Sequence, residues 1–233
     1  MSSSNHYELR GRSVLLVGAS GGLGTALAAE LFERGATLTL VGRRMDVLNN
    51  MAVPGRRVSL DLRDPRSCET AVRTAVEHGG RLDVIINAVG VVAFGTVDEL
   101  TIDTMEDLFM TNTFIPISLA KAALPVLSEG GAIVNISGVI AEQNLPGMAV
   151  YGASKAAVKS FDEALAREAR RRKIRVIDAR PPHTETGLAG RAIEGIAPKM
   201  APGLSPTQVA KVIVDAIAHG VDDLPSTAFT ATA

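Results

Sequence analysis

Tyr151 and Lys155 stand four residues apart, which puts both side chains on one face if that segment is helical. A phenol with a reference pKa of about 10 is a poor base near neutrality. A neighbouring ammonium favours the phenolate and lowers that value. Such a pair can give a proton to a carbonyl oxygen as hydride reaches the carbon, or take one from an alcohol in reverse. Upstream, in NISGVIAEQNLPGMAVYGASK (135–155), Ser137 offers a hydroxyl that could steady the same oxygen, followed by Gly138. The only other tyrosine is Tyr7, in the N-terminal tail.

A scaffold must bring these groups together. Short aliphatic runs alternate with helical patterns: SVLLVG (13–18), TLTLVG (37–42), RVSL (57–60), DVIINA (83–88), AIVNIS (132–137) and IRVIDA (174–179) read as strands. Near-continuous aliphatic strands belong to a parallel sheet covered on both faces. Between the first two, Leu23, Leu27 and Leu31 recur every four residues and Gly35 can close the helix. Asp64-Pro65 reads as an N-cap with proline in the first turn. Ser205-Pro206-Thr207-Gln208 reads as a capping box. The expected fold is α/β, a doubly wound Rossmann-type sheet with helices on both faces. We expect a flexible tail over 1–11 and one domain over 12–233.

Composition narrows the function. At 46% apolar residues and a net charge of −1, the 233-residue chain can bury a sizeable core and lacks a nucleic-acid-binding charge excess. The one dense basic run, REARRRKIR (167–175), sits where a helix should end, where cations complement the helix dipole. No apolar run approaches a membrane span of about 20 residues. MSSSNHYELRGR lacks the apolar stretch of a signal peptide. A single cysteine, Cys68, excludes a disulfide framework or a cysteine zinc site. The expectation is a cytoplasmic protein with no metal, nucleic-acid or membrane partner.

The first strand runs into GASGGLG, where Gly18, Gly22 and Gly24 let the backbone approach a pyrophosphate at a helix N-terminus. Polar residues then fall at successive strand ends: Arg43, Asp61, Asn87 and Ser137, with Pro181 after the sixth. In an open α/β sheet, ligands bind beyond the carboxyl ends of the strands.

With these motifs in place, the chain resembles a short-chain dehydrogenase/reductase of the Tyr-x-x-x-Lys subgroup, from Gly11 to about His219. The resemblance rests on the glycine turn, NAVG (87–90) for Asn-Asn-Ala-Gly, Asn112, Tyr151/Lys155, and PPHTET (181–186) for Pro-Gly-x-x-x-Thr. It implies strand order 3-2-1-4-5-6-7 and a nicotinamide cofactor. It implies cofactor contacts from Gly18, Ser20, Gly21, Gly22, Leu23, Gly24, Asp61, Leu62, Asn87, Ala88, Gly90, Tyr151, Lys155, Pro181 and Thr186. It also implies a catalytic set of Tyr151, Lys155, Ser137 and Asn112, the last holding a water that relays protons to Lys155.

Gly42 replaces an acid that would accept from the adenosine ribose, and Arg43 and Arg44 follow it. A guanidinium grips a 2′-phosphate with two parallel hydrogen bonds. NADP(H) is therefore expected over NAD(H).

The family places its serine thirteen residues before the tyrosine, where this chain has Gly138; Ser137 is fourteen before. A one-residue offset on a strand can turn a side chain to the other face. Gly138 permits dihedrals that swing Ser137 inward, and the expectation adopted is that Ser137 fills the role. Pro182 replaces a glycine and removes a backbone donor.

Val91, Val139, Leu145, Met148, His183, Leu188 and Ile193 are expected to wall a pocket without arginine or lysine. Such a pocket suits a small-to-medium, uncharged carbonyl or secondary alcohol. Apolar Phe109, Ile117, Ala157 and Phe161 suggest a homodimer or homotetramer. The alternative reading is a weakly active or inactive dinucleotide-bound sensor.

Overall fold

The alternation of aliphatic strands and capped helices folds as the periodicity requires, in a computed structural model that describes residues 7–230. Seven parallel strands lie in the order β3-β2-β1-β4-β5-β6-β7. They are β1 Ser13–Val17, β2 Thr37–Gly42, β3 Arg56–Ser59, β4 Leu82–Asn87, β5 Leu127–Ile136, β6 Arg175–Ala179 and β7 Asp223–Leu224. The last strand has no clear sequence signal. It pairs with the end of β6, Asp178 opposite Asp223 and Ala179 opposite Leu224.

Among the described residues, seven α-helices cover the sheet: α1 Gly22–Glu33, α2 Met45–Asn49, α3 Pro65–Gly79, α4 Ile102–Phe109, α5 Ile115–Ala123, α6 Ala149–Ala169 and α7 Pro206–His219. Alternate residues of β1 feed two separate cores. Val14 and Leu16 pack with Leu27, Leu31, Ile213 and Ile217 of α1 and α7. Leu15 and Val17 pack with Ala71, Leu119 and Leu165 of α3, α5 and α6. Both faces being buried explains the unbroken aliphatic runs.

The helix ends follow their caps. Asp64 accepts the Arg66 N–H at 3.0 Å, and Ser205 and Gln208 form the expected capping box. Gly35 stands at φ +78°, a left-handed position just past α1.

The flexible tail is corrected for residues 7–11. Leu9 is 3% exposed within the α1/α7 core, and the Tyr7 N–H donates to the Ala218 carbonyl at 2.7 Å. Leu9 and Tyr7 bury enough apolar surface to dock this segment. Residues 1–6 lie outside the described residues. No helix among the described residues is long and apolar enough to cross a membrane.

Candidate active site

The turn between β1 and α1 is shaped by two glycines. Gly18 has φ +75°, and a Cβ there would sit 2.7 Å from the Ala88 carbonyl group. A Cβ on Gly24 would sit 2.1 Å from the Gly18 carbonyl oxygen. The backbone is thus packed tightly around an open helix N-terminus, a cradle suited to a pyrophosphate. A dinucleotide fits this cradle by that geometry.

One cavity of about 300 Å³ runs from this turn to the chemical residues. Its wall includes Gly21, Gly22, Leu23 and Gly24 at one end, and also Ala88 and Gly90. Tyr151, Lys155, Pro181 and Thr186 share the same wall. A Cβ on Gly22 would meet the Thr186 carbonyl at 2.7 Å, so the segment after β6 closes back on the glycine turn.

Other expected cofactor residues lie outside this cavity. Asn87 is buried, accepts the Val89 N–H at 3.2 Å and donates to Asn135 at 3.4 Å; it shapes the β4 turn from within. Leu62 is buried in the α3/α5/α6 core. Asp61 is exposed and grips Arg63, with Oδ2 2.7 Å from Nη2; that hydrogen bond holds its carboxyl below the usual range. Arg63 is a partner the sequence reading missed, although two residues is a short reach. Arg43 and Arg44 are exposed, and neither is bridged to a carboxylate among the described residues. A Cβ on Gly42 would lie 2.8 Å from Ser20 Oγ and 3.3 Å from Leu48. A side chain at that position would require the Ser20 hydroxyl to rotate away.

At the other end, Tyr151 and Lys155 lie on α6, and Lys155 Nζ donates to the Ile136 carbonyl at 2.7 Å. Burial pushes the Lys155 ammonium down to about 8, partly offset by Asp178. Burial also pushes the Tyr151 phenol up to about 12. The expected lowering of the phenol by Lys155 is not seen in the protein alone, where burial is the cause that shifts it.

Asn112 sits in a π-helical turn, Met110–Phe114, between α4 and α5. Its amide exchanges hydrogen bonds with both the N–H and the carbonyl of Val91 at 2.9 Å and donates to Ser154 Oγ at 3.0 Å. A Cβ on Gly90 would lie 3.5 Å from both Asn112 Oδ1 and Lys155 Nζ, so these two groups border one small gap.

Ser137 lines the cavity. Its hydroxyl donates to Asp178 on β6, and the residue is fully buried. A hydroxyl carries one proton, so none remains for a substrate. Gly138 turns the chain just past it, at φ +82°, ψ 163°. Asp178 is held by Arg180, whose other nitrogens reach Glu142 and Asp223 at 2.5 Å. This network explains the direction of Ser137.

Of the expected pocket wall, Val139, Leu145, Met148, His183 and Leu188 line the cavity, while Val91 and Ile193 do not. Val92, Phe94, Ile140 and Met200 do, and so does Arg191, which corrects the expectation of a wall without arginine or lysine. Arg191 Nη2 lies 3.4 Å from the Thr186 carbonyl, at the cofactor end.

The family profile described as short chain dehydrogenase matches residues 12–197. The chain is similar to the dehydrogenase/reductase SDR family protein 7-like of Anopheles gambiae, 32% identical over 94% of this chain and 76% of that one. A Burkholderia cenocepacia short chain dehydrogenase solved with NADP superposes with TM-score 0.82 at 24% identity, covering 95% of this chain and 99% of that one. A Burkholderia phymatum short chain dehydrogenase/reductase solved with NAD gives 0.86 at 23% identity, covering 97% and 92%. The two structural likenesses show the fold.

Proposed function

Since the chain belongs to the short-chain dehydrogenase family and is an NAD(P)-dependent oxidoreductase, we propose that it interconverts a carbonyl and a secondary alcohol on a small-to-medium apolar substrate, using NADP(H) in preference to NAD(H). The observation that carries this reading is the cavity that joins the glycine turn to Tyr151 and Lys155. Gly21, Gly22, Leu23 and Gly24 would hold the diphosphate, and Thr186 and Pro181 would flank the nicotinamide. A bound nicotinamide supplies or accepts the hydride. In reduction Tyr151 gives its proton to the carbonyl oxygen. Lys155, beside Asn112 across the Gly90 gap, returns a proton toward Tyr151. The aliphatic wall of Val92, Phe94, Ile140, Leu145 and Met148 supports an uncharged substrate.

A panel of neutral ketones and secondary alcohols with each cofactor tests the proposal. Reduction should run faster with NADPH than NADH, and matched keto acids should be poorer substrates than their neutral analogues. Equal or better rates with the keto acids would overturn the substrate class.

Arg43→Ala should weaken NADP(H) binding roughly 10- to 100-fold, the worth of one charge-assisted pair, and NAD(H) binding less than about threefold. Calorimetric titration reads both constants, and equal losses would contradict the assignment of Arg43 to the 2′-phosphate.

The second reading, a dinucleotide-bound sensor with little chemistry, is favoured by one observation: the Ser137 hydroxyl is committed to Asp178. Tight cofactor binding with no turnover across the panel would support it.

We place the enzyme in the cytoplasm as a homodimer or homotetramer. Phe109, Ile117, Ala157 and Phe161 are only partly exposed, whereas Ile102, Met110 and Phe114 are 66%, 36% and 52% exposed along α4 and the π-helical turn. Sedimentation at micromolar concentration should give an oligomer; a monomer would refute this.

A further inference from the structure

A reacting carbonyl oxygen can accept two hydrogen bonds, and negative charge gathers on it as hydride arrives. One donor is the Tyr151 phenol. The other must come from the cavity wall, and most of its polar side chains are already engaged. Ser137 donates to Asp178, Lys155 to the Ile136 carbonyl and Thr184 to the Pro182 carbonyl. Thr186 Oγ1 accepts from the Leu188 N–H and keeps its own proton, but it lies against Gly22, and Arg191 lies against the Thr186 carbonyl, both beside the glycine turn at the cofactor end. Gly138 has no side chain to offer. The imidazole of His183 remains.

His183 lines the cavity with about one third of its side chain exposed. Its Nε2 lies 3.4 Å from Glu185 Oε1, and Nδ1 has no hydrogen-bond partner among the described residues. Glu185 is itself fixed, because the same oxygen accepts the Gly203 N–H at 2.7 Å. The His183 carbonyl accepts from the Leu204 N–H at 2.9 Å, and a Cβ on Gly203 would lie 2.7 Å from His183 Cδ2. Gly203 thus leaves the space the ring occupies. The Pro181 carbonyl accepts from Val139 N–H at 3.0 Å, tying the start of this segment to the chain just past Gly138.

We propose that His183 is a catalytic residue: its ring N–H donates to the substrate's carbonyl oxygen beside Tyr151, the place the Ser137 hydroxyl does not take. The inference rests on the carbonyl–alcohol reading above. A protonated imidazole has two N–H donors; Nε2 faces Glu185 at 3.4 Å, and Nδ1 is left for the substrate. In the step, hydride adds to the carbonyl carbon and the Tyr151 proton moves to the oxygen. His183 keeps its proton and only bonds the developing charge.

The test uses the full chain with NADPH and its best neutral ketone. His183→Phe keeps a ring of similar bulk without a donor and should lower kcat/KM roughly 10²- to 10³-fold, as loss of one oxyanion donor does. His183→Gln keeps an N–H and should retain activity within about tenfold of wild type, by the same reasoning. Ser137→Ala should lose at least about tenfold less than His183→Phe, since its hydroxyl faces Asp178. Calorimetric NADPH affinity should stay within about threefold in all three, because His183 lies outside the phosphate cradle. The inference is overturned if His183→Phe stays within about threefold of wild type, if His183→Gln is as impaired as His183→Phe, if NADPH affinity falls along with turnover, or if Ser137→Ala is the larger loss. A wild-type protein that binds NADPH but reduces no carbonyl would sink the parent reading and this inference with it.

Discussion

At pH 7, Lys155→Met is expected to lose most turnover while making the cofactor-free fold more stable. The lysine is 6% exposed, and burial holds its ammonium at about 8 against 10.5 for a freely hydrated lysine. At about 1.4 kcal/mol per pH unit, keeping that charge buried costs about 3 kcal/mol. Methionine removes the charge and keeps the length, but leaves the Ile136 carbonyl without its donor, so a net gain of about 1–3 kcal/mol is expected. The sign with pH follows from linkage. Between about 8 and 10.5 the unfolded chain holds the lysine proton and the folded chain does not, so wild-type stability rises there with pH. The advantage of the methionine variant should therefore be full below pH 8 and fade by about 10.5. Denaturant unfolding at pH 7 and pH 10 reads this; equal differences at both would contradict it.

The second large effect belongs to Asp162 on α6. It is 3% exposed, its Oδ1 accepts from Asn135 at 2.7 Å, and its Oδ2 has no partner. Burial raises its carboxyl to about 8, with the Asn135 bond opposing and Asp178 adding. Here the folded state keeps a proton that the unfolded chain releases near 3.8, so stability is lost as pH climbs from about 4 to about 8. Asp162→Asn cannot ionise and keeps an acceptor for Asn135. Its new amide finds no acceptor, at a cost of about 1–3 kcal/mol. A net gain of about 1–3 kcal/mol is expected at pH 8, after that cost is set against the burial of a charge. The gain should vanish or reverse near pH 4. Urea midpoints at the two pH values check it, and a variant less stable than wild type at pH 8 would contradict the account.

How far the sequence could be read depended on how locally each feature is determined. The glycine turn, the Asp64 cap and the Ser205 capping box were legible because each is settled within a few residues of chain. The aliphatic runs marked six strands, but the order of the strands came through the family resemblance, and β7 is too short to carry periodicity. Leu9 went unread because its burial depends on α7, at the far end of the chain. The Ser137–Asp178 bond is illegible for the same reason. Its acceptor, Asp178, is 41 residues away and is itself placed by Arg180, Glu142 and Asp223. Asp178 and Arg180 alternate at the end of β6, where an aliphatic face would be the default, and that alternation was the available signal. Arg191 joined the cavity only because the segment after β6 folds back on the glycine turn.

The central claim is that Tyr151 moves the proton in an NADP(H)-linked carbonyl reduction. Its most direct test is kcat/KM for the best neutral ketone, followed by NADPH consumption, in wild type and Tyr151→Phe side by side, with NADPH affinity measured on both. Removing one hydroxyl from a general acid should cost about 10²- to 10⁴-fold in kcat/KM and leave NADPH binding within about threefold. Turnover by Tyr151→Phe within about tenfold of wild type, with the cofactor bound as tightly, would contradict the account.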